Sequence, residues 1–426
     1  MTQNTLKKLS LSFAATAILF ASCDTTSQKT NSVPAELKND IAFLASDSLE
    51  GRETGTEGEA KAAVFLAERF EKLGLKPAGE DDSFFQQFSF KPHPPITKHD
   101  MGDTTMLGTG YVKERTGRNV VAMLDKGAEQ TIIIGAHYDH LGYGDENSLF
   151  TGGKAIHNGA DDNASGVAAM LELADRFKDV KLSSNLVFIA FSGEEKGLYG
   201  SNYFVDNPTI NLDQVNYMIN MDMVGRMKAD STLAVYGTGT SPSWPEAVNM
   251  TNTDSLNLVF HESGVGPSDH TSFYLADLPV LHFFTGQHED YHKPTDDPDK
   301  INYEGMMLVI DFIERIVLEL DDDGKLVFTK TKDQDNDSSP RFKVTLGVVP
   351  DYLFDGKGMR IDGVSEERPA HTAGIIAGDV VVKMGEHDVN DMQGYMEGLS
   401  MFEAGDTTAV TVIRNGDEKT FDVVWD

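Results

Sequence analysis

Cysteine is almost missing from this chain: the only one among 426 residues is Cys23. An intramolecular disulfide is therefore impossible, and zinc sites built on thiolates are excluded. Basic residues are scarce as well, 36 against 68 acidic ones, which leaves a formal net charge of −32. Nucleic acids and anionic membrane surfaces bind through clustered Lys and Arg, so no nucleic acid is expected as a partner and no membrane surface is expected to bind by charge. Long apolar runs are lacking too. Leu9–Phe20 is too short to cross a bilayer comfortably. What remains is ordinary globular material, 40% hydrophobic and 24% charged, in a chain long enough for two domains.

The single cysteine has a local explanation. Lys7 and Lys8 precede the apolar run and Ala21-Ser22-Cys23 follows it, which is the order of a secretory signal with small residues at the cut. The segment 1–23 resembles a bacterial lipoprotein signal, in which Cys23 is lipidated and becomes the first residue; Phe20 departs from the residue usual at its place. The chain is thus expected in the cell envelope, in the periplasm or at the cell surface, touching the membrane only through a lipid anchor at Cys23. A polar tether over 24–34 follows, too poor in apolar residues to fold.

Glu36–Leu49 and Glu57–Leu73 carry apolar residues at helical spacing, and Gly74 stops the second. Ser83–Thr131 reads as edge strands and turns, its short runs interrupted by Pro92, Pro94 and Pro95. Gly166–Phe177 sets Val167, Met170, Leu171, Ala174 and Phe177 on one face, and Gly305–Leu320 is another apolar-rich helix. Strands alternating with helices predict an α/β domain over 35–322, a mainly parallel mixed sheet with helices on both faces. An acidic, breaker-rich linker is expected over 323–340, with the boundary near Ser338. Residues 341–426, with several short strand candidates, form a small β-rich module.

Chemistry concentrates where apolar strand-like runs end, the place an α/β sheet keeps its ligands. Thr131–Ala136 leads into His137-Tyr138-Asp139-His140, Asn185–Ser192 into Glu194-Glu195, Val215–Met221 into Asp222, and Pro279–Thr285 into Tyr291-His292. Between the first two lies Gly159-Ala160-Asp161-Asp162-Asn163-Ala164-Ser165-Gly166. A pair of divalent metals needs neutral imidazoles, carboxylates and one carboxylate that bridges both, and His137, Asp162, Glu195, Asp222 and His292 supply that set. Asp139, two residues from His137, is placed to accept the other imidazole N–H and fix the tautomer. Glu194 stays free to take a proton from water and deliver it to a leaving amine.

These motifs, with Ser268-Asp269-His270 and Tyr291-His292-x-Pro294, resemble the M28 family of dizinc peptidases in order and spacing. The resemblance implies one zinc held by His137, Asp162 and Asp222, another by Asp162, Glu195 and His292, and Glu194 as general base. It also selects Asp162 over Asp161, because the family's bridging carboxylate stands four residues before the glycine matching Gly166. Tyr291 takes the place of a residue that in some members donates its hydroxyl to the oxyanion. His140, His157 and His270 flank these motifs; His93, His99, His261 and His288 fall outside them and read as surface or loop residues. Leu346-Gly347-Val348-Val349 and Ala373-Gly374-Ile375-Ile376-Ala377-Gly378-Asp379 resemble a bacterial PDZ domain, which implies a peptide C-terminus as its ligand.

The expectation is an exported, lipid-anchored aminopeptidase acting on peptides, with two Zn²⁺, although the donor set also accepts Co²⁺ or Mn²⁺. Two other readings compete: a non-catalytic peptide-binding lipoprotein, and a glutaminyl-cyclase-like protein of the same fold with a single zinc. The intact His137-Tyr138-Asp139 speaks against the second.

Overall fold

The apolar runs assemble into one mixed sheet of nine strands. The computed structural model describes residues 1, 32–91, 114–145, 147–150, 152–331, 344–351, 354, 356–364 and 368–425. The signal segment with Cys23, the tether up to residue 31, Pro92, Pro94 and Pro95, His93, His99 and the linker from 332 to 340 lie outside the described residues. Among the described residues no helix is long and apolar enough to cross a membrane.

The strands are β1 (Lys76–Pro77), β2 (Phe85–Phe90), β3 (Arg115–Leu124), β4 (Gln130–His137), β5 (Ser184–Phe191), β6 (Val215–Met221), β7 (Thr232–Tyr236), β8 (Asn257–His261) and β9 (Val280–Phe284). Their order is β1-β3-β5-β4-β6-β9-β7-β8, with β2 also paired to β3. The centre, β5-β4-β6-β9, is parallel, whereas β3 joins β5 and β7 joins β9 antiparallel. From β4 the chain crosses to β5 on one flank and then returns as β6 on the other. That reversal opens a crevice at the carboxyl end of β4, where ligands of such sheets bind.

Alternation along β4 fixes the two faces. Ile132 and Ile134 join a core with α1 (Ala35–Leu44), α2 (Glu57–Lys72), α3 (Gly166–Phe177), α5 (Trp244–Thr251) and α7 (Tyr303–Leu320). Ile133 points the other way, into a smaller core with Phe204 of α4 (Tyr199–Asp206) and Phe273 of α6 (His270–Leu275). Each fully buried side chain of this size stabilises the fold by roughly 1.5–3 kcal/mol, and the two cores together hold the strand ends of the crevice in register.

Three local expectations differ from what is found. The first helix stops at Leu44, and a 3₁₀ turn over Asp47–Arg52 follows, with positive φ at Glu50 and Gly51. A Cβ on Gly51 would lie 2.4 Å from the Gly142 carbonyl oxygen, so only glycine lets the chain turn here and carry Arg52 inside. Strand β3 is interior rather than an edge, because Val120, Val121 and Ala122 form a continuous apolar run buried on both faces. Residues 323–331, expected to open the linker, stay on the first sheet's body: Leu326 N–H donates to Asn216 Oδ1 at 2.7 Å and Thr331 N–H to the Tyr274 hydroxyl at 2.9 Å.

A second, antiparallel sheet forms later in the chain from β10 (Val348–Pro350), β11 (Met359–Val364), β12 (Val380–Met384), β13 (His387–Asp388), β14 (Thr407–Arg414) and β15 (Asp417–Val424). Its core includes Leu346, Ile361, Val381, Val410 and Trp425. Arg414 makes two 2.6 Å bonds to the buried Asp379 carboxylate, fastening the turn after Gly374.

Candidate metal centre

Each of the five expected donor residues leaves the sheet at the crevice. His137 is the last residue of β4, Asp222 directly follows β6, and Glu195 lies in the turn after β5. Asp162 stands in the turn before α3, and His292 in the loop after β9 with a positive φ of 53°.

Both imidazoles have their tautomer set by a backbone carbonyl. His137 Nδ1–H donates to Asp139 O at 3.2 Å, and His292 Nδ1–H to Asn147 O at 2.8 Å. In a neutral ring each Nε2 then carries a lone pair. Yet His137 Nε2 faces Asp162 Oδ1 at 3.4 Å and Asp222 Oδ1 at 3.3 Å, and His292 Nε2 faces Asp162 Oδ2 at 3.3 Å and Glu195 Oε2 at 3.4 Å. Lone pairs turned toward carboxylate oxygens repel unless a cation lies between them. Two ligands on one tetrahedral zinc, with bonds of about 2.0–2.1 Å, sit roughly 3.3 Å apart. All four spacings match that edge, and His137 Nε2 and Asp222 Oδ1 are buried without a hydrogen-bond partner. The donors therefore fit two zinc ions that share Asp162.

The protonation balance of the metal-free protein agrees. Burial acts against charge on His292, but Glu195 and Asp162 outweigh it and raise its pKa to about 10. Burial raises Asp162 and Glu195, yet the histidines win: Asp162 goes well below the usual carboxylate range and Glu195 to about 2. Protons on the imidazoles occupy the role a cation would take. Glu194 behaves oppositely: burial first, then Asp222, Glu195 and Asp269, push it well above the ordinary value against the pull of His137.

Donor atoms of His137, Glu194 and Asp222 lie within 4.8 Å of one another, and so do those of His140, Asp162 and Glu195. These groupings would admit Glu194 as a direct donor in the first and, in the second, His140. Its Nδ1, however, is 2.7 Å from Glu195 Oε1, a charge-assisted hydrogen-bond length and too short for two ligands of one tetrahedral ion. His140 orients Glu195. Asp161 is tied elsewhere, accepting Gly225 N–H at 2.7 Å and Ser165 Oγ–H at 3.0 Å and pairing with His288 at 3.1 Å. His288 is thus half-buried against Asp161 rather than a free surface group. The Asp139 carboxylate is 3.7 Å from His137 Nδ1, farther than its own backbone oxygen, and accepts Glu194 N–H at 3.2 Å and Thr54 Oγ–H at 2.8 Å. Tyr291 stacks on His292 with ring centroids 3.8 Å apart and lines the cleft. His157 bonds to Ser148 and Ala155 within its own loop, and His261 stacks on Tyr236.

Several supporting residues carried no sequence signal. Arg52 is fully buried and donates to the carbonyls of Leu44, Tyr138, Asn158 and Gly159. It thereby ties the residue after His137 to the start of the Asp162 turn; burial brings its pKa down to about 10. Asp296 accepts the N–H groups of Asp161 and Asp162 at 3.0–3.1 Å. Gly159 has φ of 56°, and a Cβ there would stand 2.1 Å from Asp162 O, so the turn closes only with glycine. Glycine beside the acidic pair was the one readable hint of this framework.

Comparison with known proteins matches two segments of the chain. Residues 119–317 match the model of peptidase family M28, and residues 329–424 that of the PDZ domain. The chain carries an M28 peptidase domain followed by a PDZ domain. The M28 segment includes all five donors and Glu194. Aminopeptidase YwaD of Bacillus subtilis is 30% identical over 203 residues, 44% of this chain and 40% of that protein. The probable lipoprotein aminopeptidase LpqL of Mycobacterium tuberculosis is 29% identical over 248 residues, 52% and 47% of the two chains. The chain thus spans less than half the length of either. Among solved structures, the zinc aminopeptidase BSAP from Bacillus subtilis superposes with a TM-score of 0.52 at 19% identity, over 72% of this chain and 98% of that one. Porphyromonas gingivalis glutaminyl cyclase gives 0.52 at 18%, over 66% and 96%. Both establish the fold, a zinc-exopeptidase sheet, and by themselves do not separate peptidase from cyclase.

Proposed function

We propose that the chain is an exported zinc-dependent exopeptidase, an aminopeptidase that holds two metal ions and removes N-terminal residues from peptides. The observation that carries this reading is the shared carboxylate: Asp162 stands 3.3–3.4 Å from the free nitrogen of both imidazoles, one on each oxygen. His137, Asp162 and Asp222 would hold one zinc, and Asp162, Glu195 and His292 the other. Imidazole and carboxylate without thiolate suit zinc, and cobalt or manganese would also be accepted.

When bound, zinc polarises a carbonyl and makes water more acidic. Glu194, left without a metal in this assignment, takes the proton of the attacking water on a carboxylate oxygen and passes it to the leaving amine nitrogen. Asp139 holds the Glu194 backbone and His137 together. Tyr291 is assigned as a hydroxyl donor to the developing oxyanion.

Two further assignments rest on sequence. Cys23 is the lipid anchor, in keeping with the name of LpqL; Cys23→Ser should move the protein from the membrane to the soluble fraction, and a wild-type protein already soluble counts against it. The PDZ domain binds a peptide C-terminus; titration of the full chain with peptides bearing free or amidated C-termini should show binding of the free form alone. A one-zinc cyclase is disfavoured because His137 Nε2 and Asp222 Oδ1 would stay buried and unpaired. Hydrolysis of amino-acid amides beside their N-blocked counterparts decides the activity. Cleavage of the free-amine series alone is expected, and cleavage of blocked compounds alone would remove the aminopeptidase assignment.

A further inference from the structure

A narrow cleft of about 50 Å³ opens beside the donors, and it carries polar groups the chemistry above does not use. His282, in the middle of β9, has Asn220 of β6 as its cross-strand partner, two residues before Asp222. The pleat puts both on the face that bears Asp222. His282 lines the cleft together with Met223, Phe284, Gln287 and Pro267.

The ring's protonation can be read from its neighbours. Asn220 Nδ2 donates to Ser268 Oγ at 2.9 Å and to His282 Nδ1 at 3.1 Å. With the Asn220 amide in this orientation its nitrogen only donates, so Nδ1 accepts and the proton of a neutral ring sits on Nε2. On its other side His282 stacks flat on His270, with centroids 4.4 Å apart and planes 2° from parallel. Both His270 nitrogens are buried without a hydrogen-bond partner, which suits a neutral ring and not a cation. Burial holds His270 down to about 3 and His282 well below its ordinary value.

Gln287 supplies the complement. It is 6% exposed, its Oε1 is buried with no hydrogen-bond partner, and it lines the same cleft as His282, Met223, Phe284 and Pro267. A neutral N–H donor and a carbonyl acceptor in one cleft match a group that both accepts and donates without charge. An anionic side chain would meet Gln287 Oε1 and the Asp222 and Glu194 carboxylates; a cationic one would meet the His282 N–H. Resting on the aminopeptidase reading, we propose that His282 and Gln287 are specificity-determining residues that select a substrate whose N-terminal side chain ends in a carboxamide, glutamine or asparagine.

A hydrogen-bonding wall rejects analogues that leave its groups unpaired. The zinc-loaded full chain should therefore cleave glutamine p-nitroanilide with a higher kcat/KM than the leucine or glutamate compound. His282→Phe keeps a ring for stacking on His270 and removes the N–H. It should lower the glutamine-to-leucine ratio of kcat/KM on the order of 10–100-fold, with zinc content equal to wild type. Gln287→Leu should shift the same ratio in the same direction and serves if the first variant does not fold. A wild-type preference for leucine or glutamate, or a ratio unmoved by these changes, overturns the inference. If no anilide is cleaved, the aminopeptidase reading fails separately. Calorimetric binding of glutamine amide against leucine amide to wild type and both variants then decides this one, since tighter glutamine binding lost on substitution supports it and equal binding refutes it.

Discussion

The two proposed donor trios share Asp162 but are built by different means. The first uses strand ends: His137 closes β4 and Asp222 follows β6, whose N–H groups and carbonyls are spent in the parallel ladder. The second hangs on loops. His292 sits in a left-handed conformation, its ring is fixed by Asn147 O, and Glu195 is aimed by His140. A strand-end site inherits its geometry from the sheet, whereas a loop-end site must be assembled from hydrogen bonds between distant stretches of sequence, His292 to Asn147, 145 apart, and His140 to Glu195, 55 apart. The first half should therefore tolerate changes around it that the second does not.

The largest effect concerns a residue that belongs to neither trio. Glu194→Gln removes the proposed proton carrier and leaves every proposed donor in place, so kcat should fall about 10²–10⁴-fold while two ions remain bound. Steady-state kinetics with metal analysis checks this, and loss of metal along with rate would mean that Glu194 is itself a ligand.

A smaller effect tests the contrast between the halves directly. His140→Phe removes the 2.7 Å bond that aims Glu195, and loss of such an orienting bond weakens metal binding roughly 10–100-fold. Competition with a chelator should show one ion weakened and the other unchanged. Equal weakening of both would erase the distinction between strand-built and loop-built sites.

The smallest effect is a pH dependence. In the metal-free protein the His292 pKa is raised from its ordinary value to about 10 by Glu195 and Asp162. Its stabilising contribution is thus complete below about pH 6.5 and is lost as pH rises through the raised value. The Tm of the metal-free protein should fall between pH 7 and 10, and zinc should flatten that fall because the ion replaces the proton. A metal-free Tm that rises over this window would contradict the pairing.

The contrast also explains what the sequence makes legible. Strand-end donors announce themselves because an apolar run of six or seven residues stops at a histidine or an acid, as at His137 and Asp222. The helix that follows the Asp162 turn is readable, since α3 begins at Gly166 and shows its apolar face at helical spacing. The groups that hold the loops are not. Arg52 works through backbone carbonyls, which leave no trace in residue identity, and Asp296 looks like any acid of a turn. His282 hides inside an apolar strand, where a histidine reads as core. The interior position of β3 is hidden because the prolines near it point to an edge, and the pairing that overrides them is a long-range matter.

The central claim is that one carboxylate belongs to both halves. Native mass spectrometry of zinc-loaded wild type, Asp162→Ala and Glu195→Gln counts the ions on each protein directly. Wild type should carry two, Glu195→Gln one, and Asp162→Ala none. An Asp162→Ala protein that keeps one tightly held ion would contradict the account, because it would show the two halves to be independent sites.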